Sequence, residues 1–583
     1  MNWLSGYRGS GTVTISRSPA ISIVEVLIYI RLRLPTGKSE EPNFFANNHA
    51  IAPMTYPTKH TACGIPHLQY LSIALLCGVA LCLPIRGHAQ DTIESPAELN
   101  PIPTAWRLTT ETLKLPGGEN MGMVGGDLLF DVSDQLRLGV GTYGAVRGVR
   151  GGFITLGVAG EMRQRLSPSW LSHTGLFVGA GGGRGGSSLT GGGLMLRADA
   201  GLTYESAGYG NFGFGVSHVQ FPSGVIASTQ PYVQYEYPFY SLLGPGWLTS
   251  PSNIDSTQKN AVQPNANEFA VVARSYKIPS SVVRDNGQAQ QGSMQLLGAE
   301  WLSYLDEHWF LKLESEGAMG GQNTGYMQIL TGGGYRLPLS DSTAIKLYAG
   351  GGPAGGGGVD TGGGLLLDAG VSLQQNLTER TALELSVGEV RAPSRSFQAR
   401  SVALDLNYQF GLPNVTSTAV PWSELGGFDT ENLRVRVANQ TYFRASPLWR
   451  NQYVDQPVSN LGVQLDYFLS PHWFVTGQGL AAYAGKAGAY MTGEVGVGTQ
   501  WPVSEHWFVE GETLLGAAGG GGLAVGGGLV GQVNASVGYR LSKSLSVMGT
   551  AGRISALQGD FKANVAGVSL AYQFTGFAGK TNR

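Results

Sequence analysis

The chain has 583 residues, long enough for several ordinary domains, so length alone excludes little. Composition excludes more: 88 glycines, 13% charged residues and 10% aromatics give a formal net charge of −2, with no block of Lys and Arg. A protein that binds nucleic acid concentrates positive charge, so nucleic acid is not an expected partner.

Residues 1–53 are polar and irregular apart from a short apolar patch interrupted by Glu25, and are expected to be a non-native or disordered extension. Met54 is a plausible start. Residues 54–89 are expected to be a signal peptide: Lys59 and His60 precede the apolar run LSIALLCGVALCLPI, and Gly87-His88-Ala89 gives a small-x-small cleavage site before Gln90. The run is shorter than the roughly 20 residues that a bilayer core requires. Cys63, Cys77 and Cys82 all lie before the cut, so the mature chain is expected to have no disulfide and no cysteine metal site. A thiol-free chain suits passage through an oxidising compartment. Residues 90–105 follow as a periplasmic N-terminal segment.

The rest of the chain repeats. Glycine triplets begin at Gly191, Gly362 and Gly526, and an aromatic strand end lies the same distance downstream of each, at Phe239, Phe410 and Phe574. The copies span 106–239, 269–410 and 433–574. Linkers rich in Pro, Asn, Ser and Thr occupy 240–268 and 411–432, and 575–583 form a tail.

Each copy divides into eight alternating strands without helical periodicity; in the third copy they include WFVTGQGLAAYA, WFVEGETLLGAA and NVAGVSLAYQF. The sixth strand shows the pattern. Leu194, Leu196, Ala198, Ala200 and Leu202 alternate with Arg197, Asp199 and Gly201, and the second and third copies repeat this with Asp368, Gln532 and Asn534 on the polar face. Such faces suit a transmembrane strand of about 9–11 residues. Connections are also asymmetric: SDQ, DEH, SPH, SEH and SKS are short, whereas the opposite ends carry stretches such as KIPSSVVRDNGQAQQGS. Trp309, Trp473 and Trp507 adjoin short turns, where a ring can sit at headgroup level. Hydrocarbon offers no hydrogen-bond partners, so β structure there must close. The expected fold is therefore all-β, an antiparallel transmembrane β-barrel of about 24 strands in three eight-stranded repeats. A single large barrel is preferred over three small ones, because many Gly and Ala on the polar face would fill narrow interiors poorly.

With these strands, turns and the final GVSLAYQF, the chain resembles outer-membrane β-barrels of Gram-negative bacteria, each copy being similar to the eight-stranded outer membrane protein A or X type. Gly567, Leu570, Tyr572 and Phe574 match the closing pattern of that superfamily. The resemblance implies an outer-membrane location, lipid neighbours and a barrel assembly machinery as the partner during biogenesis.

Polar residues that would line a lumen are Arg197, Asp199, Lys312, Glu314, Glu316, Asp368, Glu494, Gln532 and Asn534. The expected function is a non-enzymatic channel or export conduit for an unidentified solute or polymer. The alternative is a structural or adhesive surface protein that displays glycine-rich hairpins. A lipid-modifying enzyme is the third reading, resting on Ser217-His218, but the adjacent order lacks the His-x-Ser arrangement of barrel deacylases. No catalytic residue, metal or cofactor is expected: His308, His472 and His506 sit in separate turns, and GRGGSSLTGGG lacks the Gly-Lys-Ser/Thr ending of a phosphate loop.

Overall fold

The computed structural model describes residues 96–206, 208–248, 262–290 and 292–580. The extension and signal peptide expected at 1–89, and the three cysteines, lie outside the described residues.

The chain folds almost entirely into antiparallel strands. A two-residue strand β1 (Glu98–Leu99) precedes β2 (Ile102–Lys114), β3 (Asn120–Asp131), β4 (Leu136–Arg147), β5 (Ile154–Ser167), β6 (Trp170–Gly182), β7 (Leu194–Ser206), β8 (Gly210–Gln220) and β9 (Ala227–Ser241). After the short β10 (Gly244–Pro245) come β11 (Gln263–Lys277), β12 (Ser293–Tyr304), β13 (Trp309–Gly320), β14 (Met327–Pro338), β15 (Thr343–Gly355), β16 (Leu365–Asn376), β17 (Thr381–Arg391) and β18 (Gln398–Asn414). The short β19 (Val420–Pro421) leads to β20 (Phe428–Arg444), β21 (Val458–Phe468), β22 (Trp473–Ala484), β23 (Met491–Pro502), β24 (Trp507–Gly519), β25 (Leu529–Arg540), β26 (Leu545–Ala556) and β27 (Lys562–Gly579). A single helical turn, α1 (Gly186–Thr190), lies between β6 and β7.

Closure corrects the preference for a single wall. The first strand of each copy pairs with the last strand of the same copy: Ile102 faces Ser241, Lys277 faces Arg400, and Arg444 faces Ala563. Three separate eight-stranded barrels result, and the second and third touch edge to edge only where Gly411 meets Gly579. The expectation that glycine would leave narrow interiors empty fails because inward glycines make room for rings. A Cβ on Gly334 would lie 2.3 Å from the Phe310 ring, one on Gly498 2.2 Å from Phe474, and one on Gly538 2.1 Å from Phe508. In each case the glycine is the ring's ladder partner, so the aromatic lies flat across the bare backbone.

The His-Trp-Phe motifs explain themselves at this level. Asp306 caps one turn by accepting from the amides of His308 and Trp309 at 2.8 and 2.7 Å, and Ser470 does the same for His472 and Trp473 at 3.3 and 3.1 Å. Strand alternation then sends each Trp outward and each Phe inward. The histidine rings stack on an aromatic of the next strand, His472 on Trp501 at 4.4 Å between centroids.

The barrels form a ring. The third strand of each packs against the fifth of another: β4 on β15, β13 on β24, and β22 on β6. This is a heterologous contact repeated three times until it closes, the geometry of a cyclic trimer written in one chain. Ile154, Met327 and Met491, each the first residue of a fourth strand, belong to one apolar cluster at the shared junction.

At the end bearing the short turns and the linkers, a second apolar cluster joins the copies. Leu99, Leu248, Trp422, Leu425 and Phe577 are buried together, and β1 pairs with β19. Lys580 donates to Glu379 at 2.7 Å in the same region, and that bond holds the exposed Glu379 carboxyl below the usual carboxylate range.

Candidate functional site

The polarity of the barrels is inverted relative to a water-soluble protein. On β17 and β18 the outward Leu383, Leu385, Val387, Val402, Leu404 and Leu406 are 40–57% exposed, whereas the inward Glu384, Ser386 and Asp405 are buried. Strand alternation enforces the split, since neighbouring residues must point to opposite faces.

All nine lumen candidates face inward and are buried. Arg197 reaches Glu111 at 3.0 Å and pairs with Asp199. Lys312 donates to Glu300 at 2.7 Å and Glu314 at 2.8 Å, and Arg274 binds Glu316 at 2.8 Å and Glu314 at 3.0 Å, so Lys312, Glu314 and Glu316 are brought into one cluster. Asp368 stands beside it with Oδ1 unpartnered. In the third barrel Gln532 donates to Asn534 at 3.0 Å, Asn534 to Glu512 at 2.8 Å, and Gln478 to Glu494.

The ladder aligns three further interior residues. His173, Lys346 and Glu510 occupy the same place on the fifth strand of each barrel, opposite Gly201, Ser372 and Ser536. His173 bonds Tyr232 on the eighth strand. Lys346 donates to Glu268 at 2.7 Å, and Arg434 donates to Glu510 at 3.0 Å; both pairs join the first and fifth strands, which lie across the lumen from each other. Side chains therefore fill the second and third barrels from wall to wall. A water-sized cavity remains in the second, lined by Glu300, Lys312, Lys346, Glu384 and Asp405. These residues were legible only as a repeating inward phase, as in the LRVRV that carries Arg434 and Arg436.

The glycine triplets do not form free hairpins. Gly191, Gly362 and Gly526 have φ of +61°, +61° and +60°, each turning tightly against its own barrel. The third glycine of each triplet meets another barrel instead. A Cβ on Gly193 would lie 2.1 Å from the Ala482 carbonyl, on Gly364 2.1 Å from that of Ala145, and on Gly528 2.2 Å from that of Ala318. Backbone bonds complete the collar: the Gly151 amide donates to Gly362 at 2.8 Å, and the Gly488 amide to Gly191 at 3.3 Å. The partner glycines lie in the third-to-fourth connections of the first and third copies, and in the same connection of the second copy the Thr324 hydroxyl donates to the Gly526 carbonyl.

Trp309, Trp473 and Trp507 are 52%, 56% and 49% exposed, all pointing outward at the short-turn end. Ser217 and His218 point to opposite faces: Ser217 lies inside, bonded to Glu111 and Gln230, while His218 is outside, bonded to Thr229. Among the described residues no group of three His, Cys, Asp or Glu side chains is placed to hold a metal.

No protein-family model matches the chain, and no curated protein matches it. Solved structures that align with it include the ferric enterobactin receptor of Pseudomonas aeruginosa, at 9% identity and a TM-score of 0.25 over 82% of each chain. The siderophore receptor PirA of Acinetobacter baumannii aligns at 8% identity and 0.25, covering 81% of this chain and 80% of that one. A complex of FpvAI with pyocin S2 aligns at 8% and 0.25, covering 82% and 74%. At these scores the likeness carries no argument about arrangement or activity.

Proposed function

We propose that the chain is an outer-membrane protein of a Gram-negative cell whose three filled barrels form a fixed, non-enzymatic platform that holds a glycine-rich collar and its long loops at the cell surface. The observation that carries this reading is the inverted polarity. Burying charge while exposing Leu and Val along the outward faces of the strands would be costly in water and is favourable in hydrocarbon. The secretory leader read at 54–89 supports export, and the outward Leu570, Tyr572 and Phe574 of β27 support assembly by the machinery that inserts such barrels. Each copy is similar in strand number to the outer membrane protein A or X type. Short turns and linkers share one end, which in such barrels faces the periplasm, so the collar faces outward.

Of the functions expected from the sequence, the geometry favours the structural one over the conduit. A conduit needs a water-filled lumen, whereas the ion pairs Lys346 with Glu268 and Arg434 with Glu510 bridge two of the interiors. Ser217 and His218, on opposite faces, give no converging pair for hydrolysis. Purified protein in planar bilayers is expected to be electrically silent, and persistent open steps would overturn the platform reading. One observation favours a second reading, a gated conduit: in the second barrel Glu300, Glu384 and Asp405 crowd a cavity with Lys312 and Lys346, and Asp405 Oδ1 is unpartnered. Conductance that appears only on acidification would select it.

A further inference from the structure

The perimeter of the second barrel carries a positive patch that no interior or inter-barrel contact explains. Lys277 is the last residue of β11 and faces Arg400 of β18 directly in the ladder. Both are exposed on the outward face, and neither joins an ion pair among the described residues. Like charges directly opposite each other on one face have Cβ atoms about 5 Å apart and destabilise a strand pair. Arg391, the last residue of β17, is exposed on the same face beside them. The single carboxylate in the patch is Glu389, opposite Arg400.

Position identifies the occupant. All three cations sit at the long-loop end, and directly beneath them the same strands present Val387, Leu385, Val402 and Leu404 outward. A ligand that satisfies both features has a multiply charged anionic head and apolar chains. We infer that Lys277, Arg391 and Arg400 form a binding site for the phosphate groups of a lipid headgroup in the outward leaflet, with the acyl chains lying along the apolar strip below. The anion between Lys277 and Arg400 replaces their mutual repulsion with two charge-assisted contacts. The third barrel has the same kind of cap, with Arg553 and Lys562 outward and exposed at the loop ends of β26 and β27. Strands seven, eight and one take no part in the β4–β15, β13–β24 and β22–β6 junctions, and β18 pairs with β27 at the opposite, short-turn end, at Gly411 and Gly579, so caps at the long-loop ends face lipid rather than a neighbouring barrel.

This site rests on the membrane reading given above, and its test separates the two. The full chain is placed in phosphatidylcholine nanodiscs doped with lipid A carrying two phosphates, or with the same lipid A freed of phosphate, and the bound lipid is measured by native mass spectrometry. The phosphorylated form is expected to be enriched on the protein. Each cation near a charged membrane surface contributes about a fivefold preference, so the combined variant Lys277→Gln, Arg391→Gln, Arg400→Gln is expected to lose roughly a hundredfold. Glu389→Gln removes the only opposing charge and is expected to gain about fivefold, a result that poor folding would not produce. Equal binding of both lipid A forms, or unchanged enrichment in the triple variant, overturns the site while the protein remains embedded. Failure of the wild-type chain to enter either nanodisc overturns the membrane reading and the site with it.

Discussion

Gly193 in the first barrel lies so close to Ala482 in the third that a methyl group on it would fall 2.1 Å from the Ala482 carbonyl oxygen. Gly193 also has a φ of +103°, which side chains other than glycine rarely adopt. Gly364 and Gly528 repeat both features at the other two junctions. Replacing Gly193 by Ala is therefore expected to loosen the junction of the first and third barrels while leaving both closed. Strain and overpacking together amount to about 3 kcal/mol. The expected readout is a new site of proteolysis in the loop 183–193 without loss of barrel-resistant fragments; an unchanged digest would contradict the collar.

Lys346 bridges Glu268 and Glu384, at 2.7 Å to each. Lys346→Met leaves two buried carboxylates facing each other and is expected to cost about 3–5 kcal/mol. Urea titration of detergent-solubilised protein checks this through the unfolding midpoint. Adding Glu268→Gln to the variant is expected to recover part of the loss, because one of the stranded charges is then gone.

The ring is held by packing as well as by covalent connection. A protease site introduced into 249–261 and cut after folding is expected to leave the three barrels migrating together on a native gel, because the first barrel still contacts both others through β4 on β15 and β22 on β6. Release of a fragment ending near Leu248 would show that the linker alone keeps the barrels in register.

Trp309, Trp473 and Trp507 share one level at the short-turn end and are about half exposed. In bilayers their fluorescence is expected to be quenched most by lipids labelled near the headgroup. Strongest quenching by labels at the chain terminus would move the strands' position in the bilayer.

Much of this was legible in residue order, for a physical reason. Alternation is local, so the residue order alone delimits β22 at its observed bounds, Trp473–Ala484, and sets the inward phase of Lys312, Glu314 and Glu316. Closure was not legible, because a strand such as β18 exposes the same backbone edge to β11 of its own copy as to a strand of the next. Which edge wins depends on interior volume, set by rings such as Phe310 lying on Gly334. The glycine triplets signalled close approach without naming the partner. Gly193 and Ala482 are far apart in the chain, and nothing in either segment alone points to the other. The alignment of His173, Lys346 and Glu510 was hidden too, since the connection between the fifth and sixth strands is longer in the first copy and shifts its numbering.

The central claim is that three closed eight-stranded barrels sit side by side in a bilayer with their lumens filled. Electron cryo-microscopy of the full chain in nanodiscs tests it most directly. Three small rings in a triangle, crossing the lipid disc and without central holes, are the predicted image. One continuous wide wall, or a particle lying outside the disc, would contradict it.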